Sequence, residues 1–204
     1  GMDIFDSVCH SLSTIATGGF STKNLSLMNY SPIIQYTVAV FMLLSGINFA
    51  LLILVFMRKP QRLLHDEETH WYLGAVGLFT IVLFAGLFIS QGVYTWSGAE
   101  EAFRQGFFMV TAAITSTGYA VTDYMQWHVV LWVILFFLMF TGASSGSTSG
   151  GIKWVRLAII FKNSHAEFKR RIHPNAIIPV KLNGKPVPQQ TINNVVAFMI
   201  IYVL

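Results

Sequence analysis

Apolar positions along this chain fall into long and short blocks. Ile33 to Met57 runs for 25 residues without a charge and Trp71 to Gly92 for another 22, each longer than the roughly 20 residues that carry a helix across a bilayer. Both predict spanning helices. Val129 to Phe140 is apolar for twelve residues, gives way to the Gly/Ser-rich stretch Thr141 to Gly151, and resumes from Ile152 to Phe161 with Lys153 and Arg156 included. That is the pattern of a broken span. Ile192 to Leu204 opens a further hydrophobic segment, thirteen residues long, too short to cross, so the chain reads as cut at its end.

The short blocks form an internal repeat. Val8 to Ala16 and Phe107 to Ser116 each end in Thr-Gly, at Thr17-Gly18 and Thr117-Gly118, one hundred residues apart, and each precedes a polar loop and a long hydrophobic span. From Ile4 to Ala16 the apolar residues Ile4, Phe5, Val8, Leu12 and Ile15 keep to one face at helical spacing. The second short helix runs to Ile114, with Ser97 as its expected cap and Glu100 and Glu101 in its first turn, where the helix dipole favours them. Such half-length helices leave their last carbonyls without intrahelical partners, and that negative end can face a cation. An extended return strand at membrane depth is tolerated only inside protein or beside a water-filled path. Glycine at 18 and 118 would permit backbone angles that a side chain penalises, leaving Ala16, Thr17, Gly18, Gly19 and Phe20, and Ser116, Thr117, Gly118, Tyr119 and Ala120, to offer carbonyls to ions while their side chains pack outward. A lone Thr-Gly is more often a helix cap and turn; two in equivalent contexts favour a pore.

Composition agrees with the membrane reading. The chain is 54% hydrophobic and 11% charged, against about 45–50% and about 25% in ordinary soluble domains. Eleven of the thirteen basic residues lie at Arg58, Lys59, Arg62, Lys153, Arg156, Lys162, Lys169, Arg170, Arg171, Lys181 and Lys185, which marks that side as cytoplasmic. Lys23 and Arg104 fall on the other face with Asp3, Asp6, Glu100, Glu101 and Asp123, predicting an acidic outer mouth. The net charge of +4 is thus topological, and no nucleic-acid partner is expected. Cys9 has no second cysteine to pair with, and the start Gly1-Met2-Asp3 lacks the basic and apolar regions of a signal peptide.

Three segments, Phe5 to Thr22, Thr115 to Tyr119 and Gly146 to Lys153, together closely resemble the Trk/Ktr/HKT superfamily of potassium transporters in its bacterial TrkH-type branch. The resemblance implies an all-α membrane protein of repeated helix, re-entrant pore loop and helix units about a pseudo-fourfold axis, four per full protein, to which the Asn183-Gly184 turn signal adds a short cytoplasmic β-hairpin. This chain would hold the middle: residues 1–59 the pore loop and second helix of one unit, 60–70 a cytoplasmic connection, 71–162 a complete next unit with a broken second helix, 163–191 a cytoplasmic connection with the hairpin, and 192–204 the start of a further unit. It implies potassium as the transported ion with no organic cofactor and no enzymatic activity. The lipid bilayer, the remaining units of the same protein, a cytosolic nucleotide-binding regulatory subunit and a homodimer of the full-length protein are the implied partners, in a bacterial inner membrane. It also implies a gate at Gly142, Ser144, Ser145, Gly146, Ser147, Thr148, Ser149, Gly150 and Gly151, with Lys153 just beyond. Bottom-up, small residues at mid-membrane depth give a backbone that changes shape cheaply, with hydroxyls to satisfy freed polar groups. The equivalent stretch Ser45 to Phe49 is expected to stay helical, which would make gating asymmetric. Lys153 and Arg156 read as ordinary interfacial cations, and Asn48 as a helix-to-helix hydrogen bond.

Other chemistry is weaker. The Gly/Ser loop lacks the Gly-Lys-Ser/Thr ending of a nucleotide loop, and its serines have no base at their depth. His65, Asp66, Glu67, Glu68 and His70 read as a solvated connection rather than a metal site. Trp71, Tyr72, Tyr94, Trp96, Tyr124, Trp127 and Trp132 fit an aromatic belt, and Val180 to Val187 around Asn183-Gly184 predicts a hairpin that could touch a cytosolic partner. The competing reading is a non-conducting membrane scaffold or regulatory subunit whose elbows merely pack re-entrant helices.

Overall fold

The computed structural model describes residues 1–92, 95–173 and 178–204; the anchor expected at Tyr94 lies outside them. In order come α1 (Ile4–Ile15), α2 (Pro32–Ser45), α3 (Phe49–Phe56), α4 (Gln61–Leu64), α5 (Glu67–Gln91), α6 (Trp96–Ile114), a 3-10 turn (Tyr124–Gln126), α7 (Val129–Met139), α8 (Trp154–Ile172), β1 (Lys181–Leu182), β2 (Lys185–Pro186) and α9 (Gln189–Val203). Among the described residues α5 alone is by itself long and apolar enough to cross a membrane, from Glu67 to Ser90. Asp66 starts it by accepting from the Thr69 backbone N–H (2.9 Å) and hydroxyl (2.8 Å).

The first apolar run does not form one straight helix. It breaks at Gly46-Ile47-Asn48 into α2 and α3, bent by 103°, which overturns the expectation of a continuous helix through Ser45 to Phe49. Asn48 is the reason. Its side chain accepts from the Ala50 N–H at 2.9 Å and so caps α3, a helix start hidden in an apolar run rather than a helix-to-helix bond. Gly46 lets Tyr72 approach: a Cβ there would lie 2.7 Å from Tyr72 Cζ. Tyr72 is itself fully buried, its hydroxyl donating to the Leu43 carbonyl at 3.0 Å, so it is no belt anchor.

Helix α6 occupies the middle, against α2, α5 and α7. Its buried Ala102, Gly106, Ala112 and Ala113 let neighbours come close, and a Cβ on Gly106 would sit 3.3 Å from the Phe84 backbone nitrogen; small residues at such crossings maximise packing where lipid supplies no hydrophobic drive. Thr95, not Ser97, caps α6, accepting from the Gly98 N–H at 3.2 Å, and Glu100 and Glu101 therefore fall beyond its first turn.

Helix α1 is inside-out. Its polar Asp6, His10 and Thr14 are buried while Ile4, Phe5, Val8, Leu12 and Ile15 are exposed, the reverse of a water-facing amphipathic helix. A second, smaller core joins Ile159 and Ala166 of α8, Val180, and Ile192 and Val195 of α9. The hairpin forms as expected, with Lys181 opposite Pro186 and Leu182 opposite Lys185, and Asn183 and Gly184 at φ 48° and 75°, as a type I′ turn requires.

Candidate ion-conduction site

Both short helices end in the same local structure. After α1, Ala16 is the last αR residue, Thr17 turns left-handed at φ 50°, and the N–H groups of Thr17 and Gly18 return to the carbonyls of Thr14 (3.1 Å) and Ser13 (2.8 Å). After α6, Thr115 is the last αR residue, Ser116 turns at φ 56°, and Ser116 and Thr117 return to Ala113 (3.0 Å) and Ala112 (3.0 Å). Each is a Schellman ending with a side chain where glycine is usual. The equivalence pairs Thr17 with Ser116, Gly18 with Thr117, and Gly19 with Gly118. Its offset is one residue less than the Thr-Gly spacing.

That register corrects which glycine is required in the first elbow. Gly19 (φ 68°) and Gly118 (φ 81°) have the left-handed backbone, whereas Gly18 does not. A Cβ on Gly18 would meet only side chains, Phe20 Cδ2 at 3.3 Å and Ser13 Oγ at 3.4 Å. On Gly19 it would lie 2.8 Å from the Thr117 carbonyl carbon and nearer still to its oxygen. The two elbows therefore meet backbone to backbone at Gly19 and Thr117.

The hydrogen-bond accounting along the elbows is uneven. The Ala16 carbonyl accepts from Thr17 Oγ1 (2.8 Å), Phe20 from the Tyr119 hydroxyl (3.3 Å), and Ala120 from the Leu27 N–H (3.0 Å). Among the described residues the carbonyls of Thr17, Gly18, Gly19, Ser116, Thr117, Gly118 and Tyr119 accept none. Buried backbone carbonyls are nearly always paired, yet Thr17 and Thr117 are 8% and 3% exposed. The end of α1 is less open than expected: the Ile15 carbonyl accepts from Thr148 Oγ1 at 3.0 Å, so the free acceptors there lie beyond α1, in the elbow itself. Not every side chain packs outward, since Tyr119 is buried and Phe20 exposed.

A polar cluster that sequence reasoning missed supports the first elbow. His10 places Nδ1 2.6 Å from the Asp6 carbonyl and Nε2 2.9 Å from Ser21 Oγ, with the Tyr30 and Tyr119 rings against it. Asp6 accepts from Thr22 (2.7 Å) and Tyr30 (3.0 Å) and pairs with Lys23 (3.3 Å). The Thr22 bond, opposed by burial and aided by Tyr30 and Lys23, holds this carboxyl below the usual carboxylate range. The i, i+4, i+8 spacing of Asp6, His10 and Thr14 was the available signal. The acids of the expected outer mouth are committed locally: Asp3 caps α1, Asp123 caps the 3-10 turn, and Glu100 pairs with Arg104.

The Gly/Ser stretch is an ordered loop with a pinned neck. The Gly142 N–H donates to Ile152 (2.7 Å), Ile152 to Phe140 (3.0 Å) and Trp154 to Ala143 (3.3 Å). Gly151, at φ 72°, sits so near Thr141 that a Cβ would come within 2.8 Å of its carbonyl. One limb lies on the break between α2 and α3: Ser144 N–H donates to Gly46 (3.0 Å), Phe49 N–H to Gly146 (3.2 Å), and a Gly146 Cβ would stand 3.0 Å from the Asn48 amide. The other limb is held by Lys153, whose ammonium donates to the Ser149 carbonyl and hydroxyl and to Ser147 Oγ (3.4 Å). Lys153 is thus part of the loop rather than a free interfacial cation. Gly150 faces Ser116, 3.7 Å from its Oγ by the same measure.

The acidic connection before α5 is also structured. Glu68 is 7% exposed and accepts from the Ser145 N–H and hydroxyl; Glu67 pairs with Lys162; Asp66 and the Glu67 N–H engage the Asn183 side chain (2.9 and 2.8 Å). The hairpin therefore docks on its own chain. Among the described residues no three His, Cys, Asp or Glu side chains could hold a metal.

Comparison with known proteins matches this geometry. The family model for the cation transport protein TrkH matches residues 2–204. The chain is 36% identical over 207 residues to the Trk system potassium uptake protein TrkH of Escherichia coli strain K12, covering 100% of this chain and 42% of that protein. It is 35% identical over 207 residues to TrkG of the same organism, with the same coverage. It superposes on the crystal structure of the potassium transporter TrkH from Vibrio parahaemolyticus with a TM-score of 0.90 and 33% identity, covering 98% of this chain and 43% of that one. The expected all-α membrane fold with a short hairpin stands. The chain spans about two fifths of the length of these relatives, all of them transport proteins by name.

Proposed function

The chain belongs to the TrkH cation transport protein family, and from that premise we propose that it supplies two of four quarters of a potassium pathway in a bacterial inner membrane. In this reading residues 1–59 and 71–162 belong to successive units joined by 60–70, and 163–191 leads to a further unit beginning at 192–204. The elbows 16–20 and 116–120 are the filter. The observation that carries it is the run of carbonyls without donors from Thr17 to Gly19 and Ser116 to Tyr119, on two backbones that meet at Gly19 and Thr117. Carbonyls held this way replace the water shell of a dehydrated cation, and potassium is the cargo rather than a resident cofactor. The loop 142–151 with Lys153 is the gate: Thr148 donates to Ile15 at the end of α1, and Gly150 faces Ser116 at the start of the second elbow. The remaining units close the ring, the full protein pairs as a homodimer, and a cytosolic nucleotide-binding subunit sets the gate.

The test is to locate ions in the full-length protein. Rubidium or caesium soaked into its crystals is expected to give anomalous peaks beside Thr17, Gly19, Thr117 and Gly118. A well-ordered filter region free of such peaks at high rubidium would refute the reading and favour a non-conducting scaffold.

A further inference from the structure

We propose that Glu68, at the cytoplasmic start of α5, is the positioning residue that latches the Gly/Ser loop shut, an inference that rests on reading that loop as the gate. The loop is gripped by opposite charges of matched chemistry. Its 144–146 limb presents donors, and the carboxylate of Glu68 takes both the Ser145 N–H and the Ser145 hydroxyl. Its 147–149 limb presents acceptors, and the Lys153 ammonium takes the Ser149 carbonyl and hydroxyl and the Ser147 hydroxyl. The two grips differ in what they tie together. Lys153 is continuous with the loop, at the N-cap of α8, so its bonds shape the loop from within the same stretch of chain. Glu68 stands on a different helix and fixes the loop to the scaffold. A carboxylate so little exposed is costly unless hydrogen-bonded; Ser145 gives it two donors, and the Val155 backbone N–H at the start of α8 adds a further one.

The position of Glu68 is set from the cytoplasmic side. Asp66 and Glu67, its immediate predecessors, are held by Asn183 of the hairpin and by Lys162 of α8, and Lys162 also donates to the Lys181 carbonyl at 3.0 Å. One helical turn thus carries the hairpin on two residues and the loop on the third. A cytosolic event that shifts the hairpin or α8 bears directly on the latch.

Loop position is read separately from flux. In the loop Ser144 Oγ is buried without a partner, so Ser144→Cys introduces a thiol without breaking a hydrogen bond. In the full-length protein, in a Cys9→Ser background freed of other reactive thiols and reconstituted in vesicles, Glu68→Ala is expected to raise maleimide modification of that thiol about tenfold, since two charge-assisted bonds are lost. Rubidium uptake rises with it, and the potassium-to-sodium preference stays as it was. Glu68→Gln keeps one acceptor and falls between; as the milder change it also covers the case in which the alanine variant does not fold. Well-folded Glu68 variants whose thiol reacts at the parent rate would overturn the latch. Deleting Ser145 to Ser149 with Glu68 intact tests the gate itself. Unchanged uptake there defeats the gate reading, while faster modification in Glu68→Ala would still establish the anchor.

Discussion

Replacing Gly19 by alanine sets a methyl carbon 2.8 Å from the Thr117 carbonyl carbon, against a floor of about 3.0 Å for real Cβ contacts, with the oxygen closer still. Neither partner is the end of a flexible side chain, so one elbow backbone must yield. The left-handed φ of 68° adds about 1–2 kcal/mol for any L side chain, and overpacking against rigid neighbours adds about 1–3 kcal/mol. Because each 1.4 kcal/mol of differential coordination is about tenfold in preference, a displaced Thr117 carbonyl should cost at least about tenfold in potassium-over-sodium selectivity. Gly18→Ala is the internal control: its Cβ meets only side chains at ordinary or slightly tight distance and its φ is not left-handed. Gly118→Ala meets nothing within 4 Å but has φ 81°, and should fall between. Rubidium and sodium fluxes of the three full-length variants in vesicles give the order directly. Equal loss in Gly18→Ala and Gly19→Ala, or a normal Gly19→Ala, would refute the register and with it the pairing of the elbows.

Ser116→Gly removes a left-handed side chain and a buried hydroxyl without a partner, and thermal unfolding of the full-length variant should show stabilisation of about 1–2 kcal/mol. Tyr72→Phe strips the donor from the Leu43 carbonyl at the end of α2 and should destabilise by about 1 kcal/mol in the same assay. Asp6 has a carboxyl held below its unfolded value, so its contribution is complete above the unfolded pKa and fades as pH falls through the folded one. Asp6→Asn should therefore lower the melting temperature at neutral pH and converge on the parent in acid; a constant gap across that range would remove Asp6 as the cause.

Much of the plan was legible because membrane chemistry writes it in long, contrasting blocks. α5, the twelve-residue run of α7, the Asn183-Gly184 turn and the paired elbows follow from apolar length, turn chemistry and repetition. The register of the repeat was not, because Thr-Gly is an eye-catching pair while the backbone aligns on the helix ends. Thr17 matches Ser116, which shares no identity with it, and the glycine that must be left-handed is the second of the Gly18-Gly19 pair. Asn48 and Glu68 differ from expectation in opposite ways. An asparagine in an apolar run suggests a bond to another helix, yet its bond is to Ala50, two residues on; a glutamate in an acidic loop suggests a solvated local feature, yet its partner Ser145 lies 77 residues away.

The sequence by itself determined that this chain is built for a membrane, that α5 can span it, that the Gly/Ser stretch interrupts an apolar run, and that a short helix ending in an elbow occurs twice. These depend on composition and period, which are local quantities. Only the tertiary structure decided that Gly19 touches Thr117, that the Gly/Ser loop sits on the break between α2 and α3, and that Glu68 and Lys153 hold its two limbs. Those contacts join segments distant along the chain, and hydrogen bonds at about 3 Å are set by how helices pack rather than by what any one stretch prefers.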